Sequence, residues 1–240
     1  MYVIETLKSS IERLTGAAKL TPRELRARLR RRNAQTRHFK DDGATPNSPL
    51  PFVLYRGAVK VAGAPDAALV FEQLFAANGW GDSWRNGIYD YLHYHSRIHE
   101  VLGIARGRAR VRFGGDRGRI VTVKAGDVAI LPAGTGHQCL EASDDFLVVG
   151  AYPPIGTYDE YHGLPDEHAR ALKTIPRVGR PRRDPLYGAE GRVPELWRAP
   201  RSRQRPPARR VAKRAVSAKR RSVSAKRTLP AKPRRKQARR

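Results

Sequence analysis

The sequence predicts a mainly β protein: a sandwich or small closed barrel, a few flanking helices and a basic C-terminal tail. Three observations lead there. Eight short β-type runs follow one another between residues 52 and 152, separated by turns rich in Gly and Pro. Charge is segregated: of 48 Lys/Arg and 22 Asp/Glu, residues 41–200 hold 19 of each, and residues 201–240 hold 18 basic side chains and no acid. One thiol, Cys139, excludes an internal disulfide. The fold must therefore rest on an apolar core, which about 160 near-neutral residues can supply. Charge confined to the ends also excludes a uniformly basic nucleic-acid-binding fold.

At the N-terminus, Ile4, Leu7, Ile11 and Leu14 recur at helical spacing and Gly16 ends the pattern. A second helix start is written as Thr21-Pro22-Arg23-Glu24, with Thr as N-cap, Pro in the first turn and Glu closing a capping box. Leu25 and Leu29 share a face of it, and Arg26, Arg28 and Arg30 to Arg32 make it basic. Residues 1–37 are expected as a basic helical extension. Pro46, Pro49 and Pro51 then mark a rigid connector.

Strands are expected at 52–55, 87–95, 100–105, 109–113, 119–124, 128–131, 137–141 and 146–152, with turns at Gly107, Gly114-Gly115, Gly126 and Gly134. One helix over 65–77 should precede the barrel, and another, over 165–175, should follow it. Trp197 is the last bulky apolar residue, so the domain is expected to span 38–200. Residues 201–240 carry an imperfect Ala-Lys-Arg repeat without apolar period and are expected to be disordered. No apolar run approaches the ~20 residues of a membrane helix, and Glu5 and Lys8 break up any signal-peptide pattern. The expected location is the cytoplasm, with the tail favouring nucleoid association.

One constellation carries chemistry. His93 and His95 lie two apart in an expected strand, which puts both imidazoles on one face about 7 Å apart. Glu100 heads the next strand, and His137 opens a later one directly after the turn Pro132-Ala133-Gly134-Thr135-Gly136. Three imidazoles and a carboxylate from several strands make a divalent metal site with open positions. His99 is the rival ligand. Strand parity sets Glu100, Leu102 and Ile104 on the barrel lining and turns His99 outward or to the pocket mouth. His38, His162 and His168 lack a partner pattern and read as surface residues.

These spacings resemble the cupin superfamily. Gly87, His93-x-His95, Glu100 and Gly107 are similar to its first motif; Gly126, Pro132-x-Gly134 and His137 are similar to its second. The second motif usually ends in Asn, where this chain has Glu141. More narrowly, the stretches 78–90, 132–137 and 144–154 resemble the bacterial YjlB-type single-domain cupins, over roughly residues 38–197. The resemblance implies an antiparallel jelly-roll (double-stranded β-helix) barrel, with His93, His95, Glu100 and His137 as metal ligands and pairing into a homodimer.

Parity further sets Tyr89 and Tyr91 on the face of His93 and His95, where either could orient substrate or fill the core. Cys139 reads as a small buried filler, and Arg106, Arg108, Arg110 and Arg112 as an outward basic stripe. The donor set suits Mn, Fe, Ni, Co or Zn. The first functional reading is a metal-dependent enzyme acting on a small oxygenated organic molecule by dioxygenase- or decarboxylase-type chemistry. The alternative is a non-enzymatic metal- or ligand-binding module. In both, residues 201–240 tether the domain to nucleic acid without sequence specificity, and no membrane partner is expected.

Overall fold

A computed structural model describes residues 19–198. Helix α1 (Pro22–Arg28) starts where its capping box closes: Thr21 Oγ1 accepts from Glu24 N, and the Glu24 carboxylate accepts from Thr21 N at 2.7 Å. The helix expected over 4–14 and the tail beyond 200 lie outside the described residues. Strands β1 (Gln35–Arg37) and β2 (Phe52–Tyr55) follow, then helix α2 (Ala67–Ala77), capped by the Asp66 carboxylate. After it come β3 (Gly81–Asn86), β4 (Glu100–Arg106), β5 (Arg108–Phe113), β6 (Arg119–Lys124), β7 (Val128–Leu131), β8 (His137–Ala142) and β9 (Leu147–Tyr152). Helix α3 (Pro165–Thr174), a 3-10 turn (Ile175–Arg177) and helix α4 (Val193–Leu196) complete the described residues. Among the described residues no helix is long and apolar enough to cross a membrane.

The strands form two antiparallel sheets, one ordered β1-β2-β7-β4-β9-β3 and the other β6-β5-β8. Side-chain alternation divides the core between them. Phe52, Leu54, Leu102, Ile104 and Leu131 pack inward with Val111 and Phe113 of the small sheet. Val53, Tyr55, Val101 and Ile130 pack outward against Phe71 and Phe75 of α2 and against Trp197. Because both faces of the large sheet are covered at its centre, β2, β7, β4 and β9 read as nearly continuous apolar runs. Gly103 is required where α2 crosses: a Cβ there would run into the Phe71 ring.

Two expectations change. The strand expected at 87–95 lies earlier, at β3, which pairs with β9 along the sheet edge. Residues 87–95 instead run irregularly across the open end, bridging His93 to His137 and Tyr94 to Tyr161. Residues 19–37, expected as part of a separate extension, pack into the domain. Leu20, Leu25 and Leu29 lie on the outer core, β1 pairs with β2, and Arg28 donates to the carbonyls of Lys60, Ala62 and Gly63. The packing therefore begins before residue 38.

Candidate metal centre

The centre is assembled at one end of the inner core, where four segments of backbone meet. His93 and His137 are held by a reciprocal backbone bridge, His93 N donating to His137 O (3.2 Å) and His137 N to His93 O (2.9 Å). Their ring centroids are 4.0 Å apart. His95 is fixed from below, its carbonyl accepting Gly134 N at 2.7 Å from the tight turn before β8. Glu100 opens β4 and points inward with Leu102 and Ile104, as strand parity requires. All four side chains are buried.

Each imidazole is oriented the same way. Nδ1 of His93 donates to Tyr91 O (3.2 Å), Nδ1 of His137 to Thr135 O (3.2 Å), and Nδ1 of His95 to Asp159 O. A carbonyl can only accept, so each Nδ1 carries a proton, and in the neutral ring each Nε2 presents a lone pair. Ligand nitrogens of the three histidines lie within 4.8 Å of one another. Glu100 Oε2 stands 3.3 Å from His137 Nε2 and 3.6 Å from His95 Nε2. That oxygen is enclosed and takes no hydrogen bond. Three imidazoles and, beside two of them, an unpaired carboxylate oxygen are thus buried together, which costs energy unless a cation sits among them. The residues fit a divalent metal.

The electrostatics agree. Burial, helped by the neighbouring His137, pushes the His93 imidazole down to about 3. Burial disfavours charge on Glu100 as well, yet His95 and His137 outweigh it and hold the carboxyl well below its usual range. Burial also disfavours a proton on His95, but the Glu100 charge overrides it and the imidazole is raised.

The structure brings together His93, His95, Glu100 and His137, and moves several other residues from their expected places. Tyr89 and Tyr91 do not line the barrel interior. They stack on each other at 4.8 Å, with 44% and 41% of their surface exposed; Tyr89 touches the cavity from its mouth. The chain has left strand geometry there, so parity no longer applies. His99 does face away from Glu100, but it is 1% exposed rather than at the surface. Its ring packs 4.6 Å from Trp197, Nε2 donates to Gly179 O, and Nδ1 accepts Ala133 N at 2.8 Å. The outer face of β4 is itself a core face, and burial lowers the His99 imidazole to about 4. Cys139 is half-buried against the inner core, while Arg106, Arg108 and Arg110 are exposed as expected. Glu141 is a surface residue paired with Arg110, so the departure from the second motif leaves the centre untouched.

Sequence reading gave no role to Tyr152, Tyr158 or Asp159. Tyr152 ends β9, and Trp84 Nε1 donates to its hydroxyl at 2.9 Å. Burial, and then the Glu100 charge, push the Tyr152 phenol far up. Tyr158 lies 4.8 Å from the His95 ring on a strap that follows β9. The Asp159 carboxylate accepts from Ser96 N, Ser96 Oγ and Arg97 N, fastening the strap to the His95 turn. The turn residues Pro153, Pro154 and Gly156 were the available signal that the chain doubles back there. Above the centre opens a cavity of about 610 Å³, walled by Trp84, Ile88, Ile98, Leu102 and Pro153.

No family model matches the chain. The protein is 40% identical over 167 residues to the uncharacterized protein YjlB of Bacillus subtilis, covering 69% of this chain and 98% of that one. Among solved structures, a Klebsiella pneumoniae protein with a double-stranded beta-helix domain matches at TM-score 0.29 and 15% identity, over 58% of this chain and 88% of that one. Acireductone dioxygenase from Bacillus anthracis, with cadmium in its active centre, matches at 0.25 and 20%, over 34% and 55%. Oxalate decarboxylase from Lactobacillus farciminis matches at 0.26 and 16%, over 54% and 33%. With near-complete coverage of YjlB at this identity, the chain belongs to the YjlB family.

Proposed function

We propose that the protein is a metal-dependent cupin enzyme that acts on a small oxygenated organic molecule by dioxygenase- or decarboxylase-type chemistry. The observation that carries the reading is the convergence of three Nε2 lone pairs and an unpaired Glu100 oxygen at the floor of a cavity. His93, His95, Glu100 and His137 would hold a divalent ion, with Mn, Fe, Ni, Co or Zn all compatible with two kinds of donor. Such an ion supplies Lewis acidity, polarising a substrate oxygen or activating water or dioxygen.

The chain's own groups do the rest. Tyr152 stays protonated at neutral pH; Trp84 donates to its oxygen, and its own proton, beside Glu100, can be passed to a substrate oxygen held there. The Tyr158 strap shields the His95 side of the centre from bulk water. The basic residues 201–240 add a second, independent function in this reading: they hold the domain on nucleic acid through phosphate charge alone.

The test is metal analysis of full-length protein purified without chelator, followed by oxygen-uptake and carbon-dioxide-release assays on small hydroxy and oxo acids. The expected result is close to one transition-metal ion per chain with turnover of one substrate class. Stoichiometric metal without turnover would favour the binding-module alternative. Full occupancy in a His93→Ala, His137→Ala double variant would remove the site assignment.

A further inference from the structure

The cavity above the centre separates its polar and apolar chemistry. Its floor is the His93, His95, Glu100 and His137 cluster. Its walls are Trp84, Ile88, Ile98, Leu102 and Pro153, and at its mouth stand two aromatic rings, Tyr89 and Tyr158. The Tyr158 ring is 52% exposed although it packs on His95 and on Tyr152 (5.8 Å). The Tyr89 ring stacks on Tyr91 and stands edge-on to His93 at 5.2 Å. Exposed aromatic rings held in place around a hole are an arrangement that only an occupant would cover.

Charge says what that occupant lacks. The one basic side chain among the described lining residues is Arg85, and it is already spent. Its guanidinium grips Glu72 through two bonds of 2.8 Å and Asp66 through a third. The remaining charged residue at the rim, Asp82, is acidic and exposed. A second anionic group, away from the floor, would thus find apolar wall, aromatic ring, carboxylate or the neutral polar groups of Asn86 and Thr157, and no free cation. Burying it there would cost hydration with no ion pair in return.

We infer that the site selects an aromatic compound with a single oxygen-donor head, the head at the four-residue floor and the ring between Tyr89 and Tyr158. This rests on the metal-centre reading given above and adds the substrate class to it. A dicarboxylate whose two carboxylates lie too far apart to share one ion would leave the second without a cation against the same walls. The volume is ample for a substituted benzene ring and is of the size usual for ligand pockets.

The experiment uses the full-length chain loaded with Ni²⁺, its stoichiometry measured before any titration. Three probes are compared by calorimetry: salicylate (ring, one chelating head), lactate (a hydroxy acid head without a ring) and adipate (two carboxylates too far apart to chelate one ion). Salicylate should bind at least about 10-fold more tightly than lactate or adipate. Tyr89→Ala and Tyr158→Ala should each weaken salicylate about 3- to 10-fold, the range of an aromatic contact, and leave lactate and the metal content unchanged. Both rings are largely outside the core, so their truncation leaves the fold intact. Tyr158→Phe keeps the ring and should keep the affinity. Adipate or lactate binding as tightly as salicylate to metal-loaded protein would overturn the aromatic assignment and leave the metal centre standing. Failure to load Ni²⁺ at all would overturn both.

Discussion

His95 and Asp159 are joined twice: the His95 Nδ1 proton goes to the Asp159 carbonyl, and the Asp159 carboxylate binds the amides of Ser96 and Arg97 that follow His95. One residue of the strap thereby sets both the tautomer of an imidazole and the backbone that carries it. Thr174 Oγ1, donating to Ser96 Oγ at 2.9 Å, ties the end of α3 to the same knot.

Asp159→Ala should therefore weaken metal binding although Asp159 touches no metal. The carbonyl remains, but the carboxylate no longer holds the turn or the strap. A loss of about 10- to 100-fold is expected, as for other residues that orient a ligand. Competition with a chromophoric chelator measures it, and unchanged affinity would show that the strap does not position His95.

Proton and metal compete at His95. In the metal-free protein the Glu100 charge outweighs burial and raises this imidazole above its ordinary value of 6.5. Metal needs the neutral ring, so affinity should be full only above that raised value and fall about tenfold per pH unit below it. Glu100→Gln removes the charge that favours the proton. It should lower affinity overall and shift the onset of the fall to more acidic pH. Titrations between about pH 5 and 9 distinguish this from a common shift of all three histidines.

His99→Ala is the structural counterpart. It strands the Ala133 amide and the Gly179 carbonyl and opens a gap against Trp197. A loss of about 2–4 kcal/mol in urea unfolding is expected, with metal content retained. Loss of the metal with unchanged stability would reverse the roles assigned to His99 and its neighbour Glu100.

Truncation tests where the domain begins. Removing residues 1–37 strips Leu20, Leu25 and Leu29 from the outer core and exposes the edge of β2. The fragment 38–200 should be less stable than 19–200 by about 3 kcal/mol or more. Equal urea midpoints would restore the boundary at residue 38.

The tail makes its own forecast. Eighteen Lys/Arg in residues 201–240, with no acid and no aromatic residue, can neutralise phosphates but cannot stack on bases. Deleting this segment should abolish most DNA retention at ~100 mM salt, and full-length binding should weaken steeply with salt. Equal retention without it would turn attention to Arg26, Arg30 and Arg37.

Much of this was legible in the residues because spacing survives folding. Glu100 with Leu102 and Ile104, and Thr21 with Glu24, sit in regular elements where period fixes direction. Tyr89 and Tyr91 do not, and the alternation that suggested a strand at 87–95 arises from residues gathered around a cavity mouth. The true edge strand, β3, reads Gly-Asp-Ser-Trp-Arg-Asn and shows no apolar alternation, because edge pairing needs only backbone. His99 was hidden for another reason. Parity gives a face of a strand, and it takes Trp197, nearly a hundred residues later, to decide whether that face is wet.

The reciprocal bridge between His93 and His137 has an evolutionary consequence. Two of the imidazoles owe their spacing to peptide hydrogen bonds, which any side chain permits, and not to the cavity walls. Mutations at Ile88, Ile98 or Leu102 can therefore reshape what the cavity accepts while the chemistry beneath it keeps its dimensions. A lineage built this way can exchange one ligand for another by small steps, without passing through a form that has lost its histidine cluster.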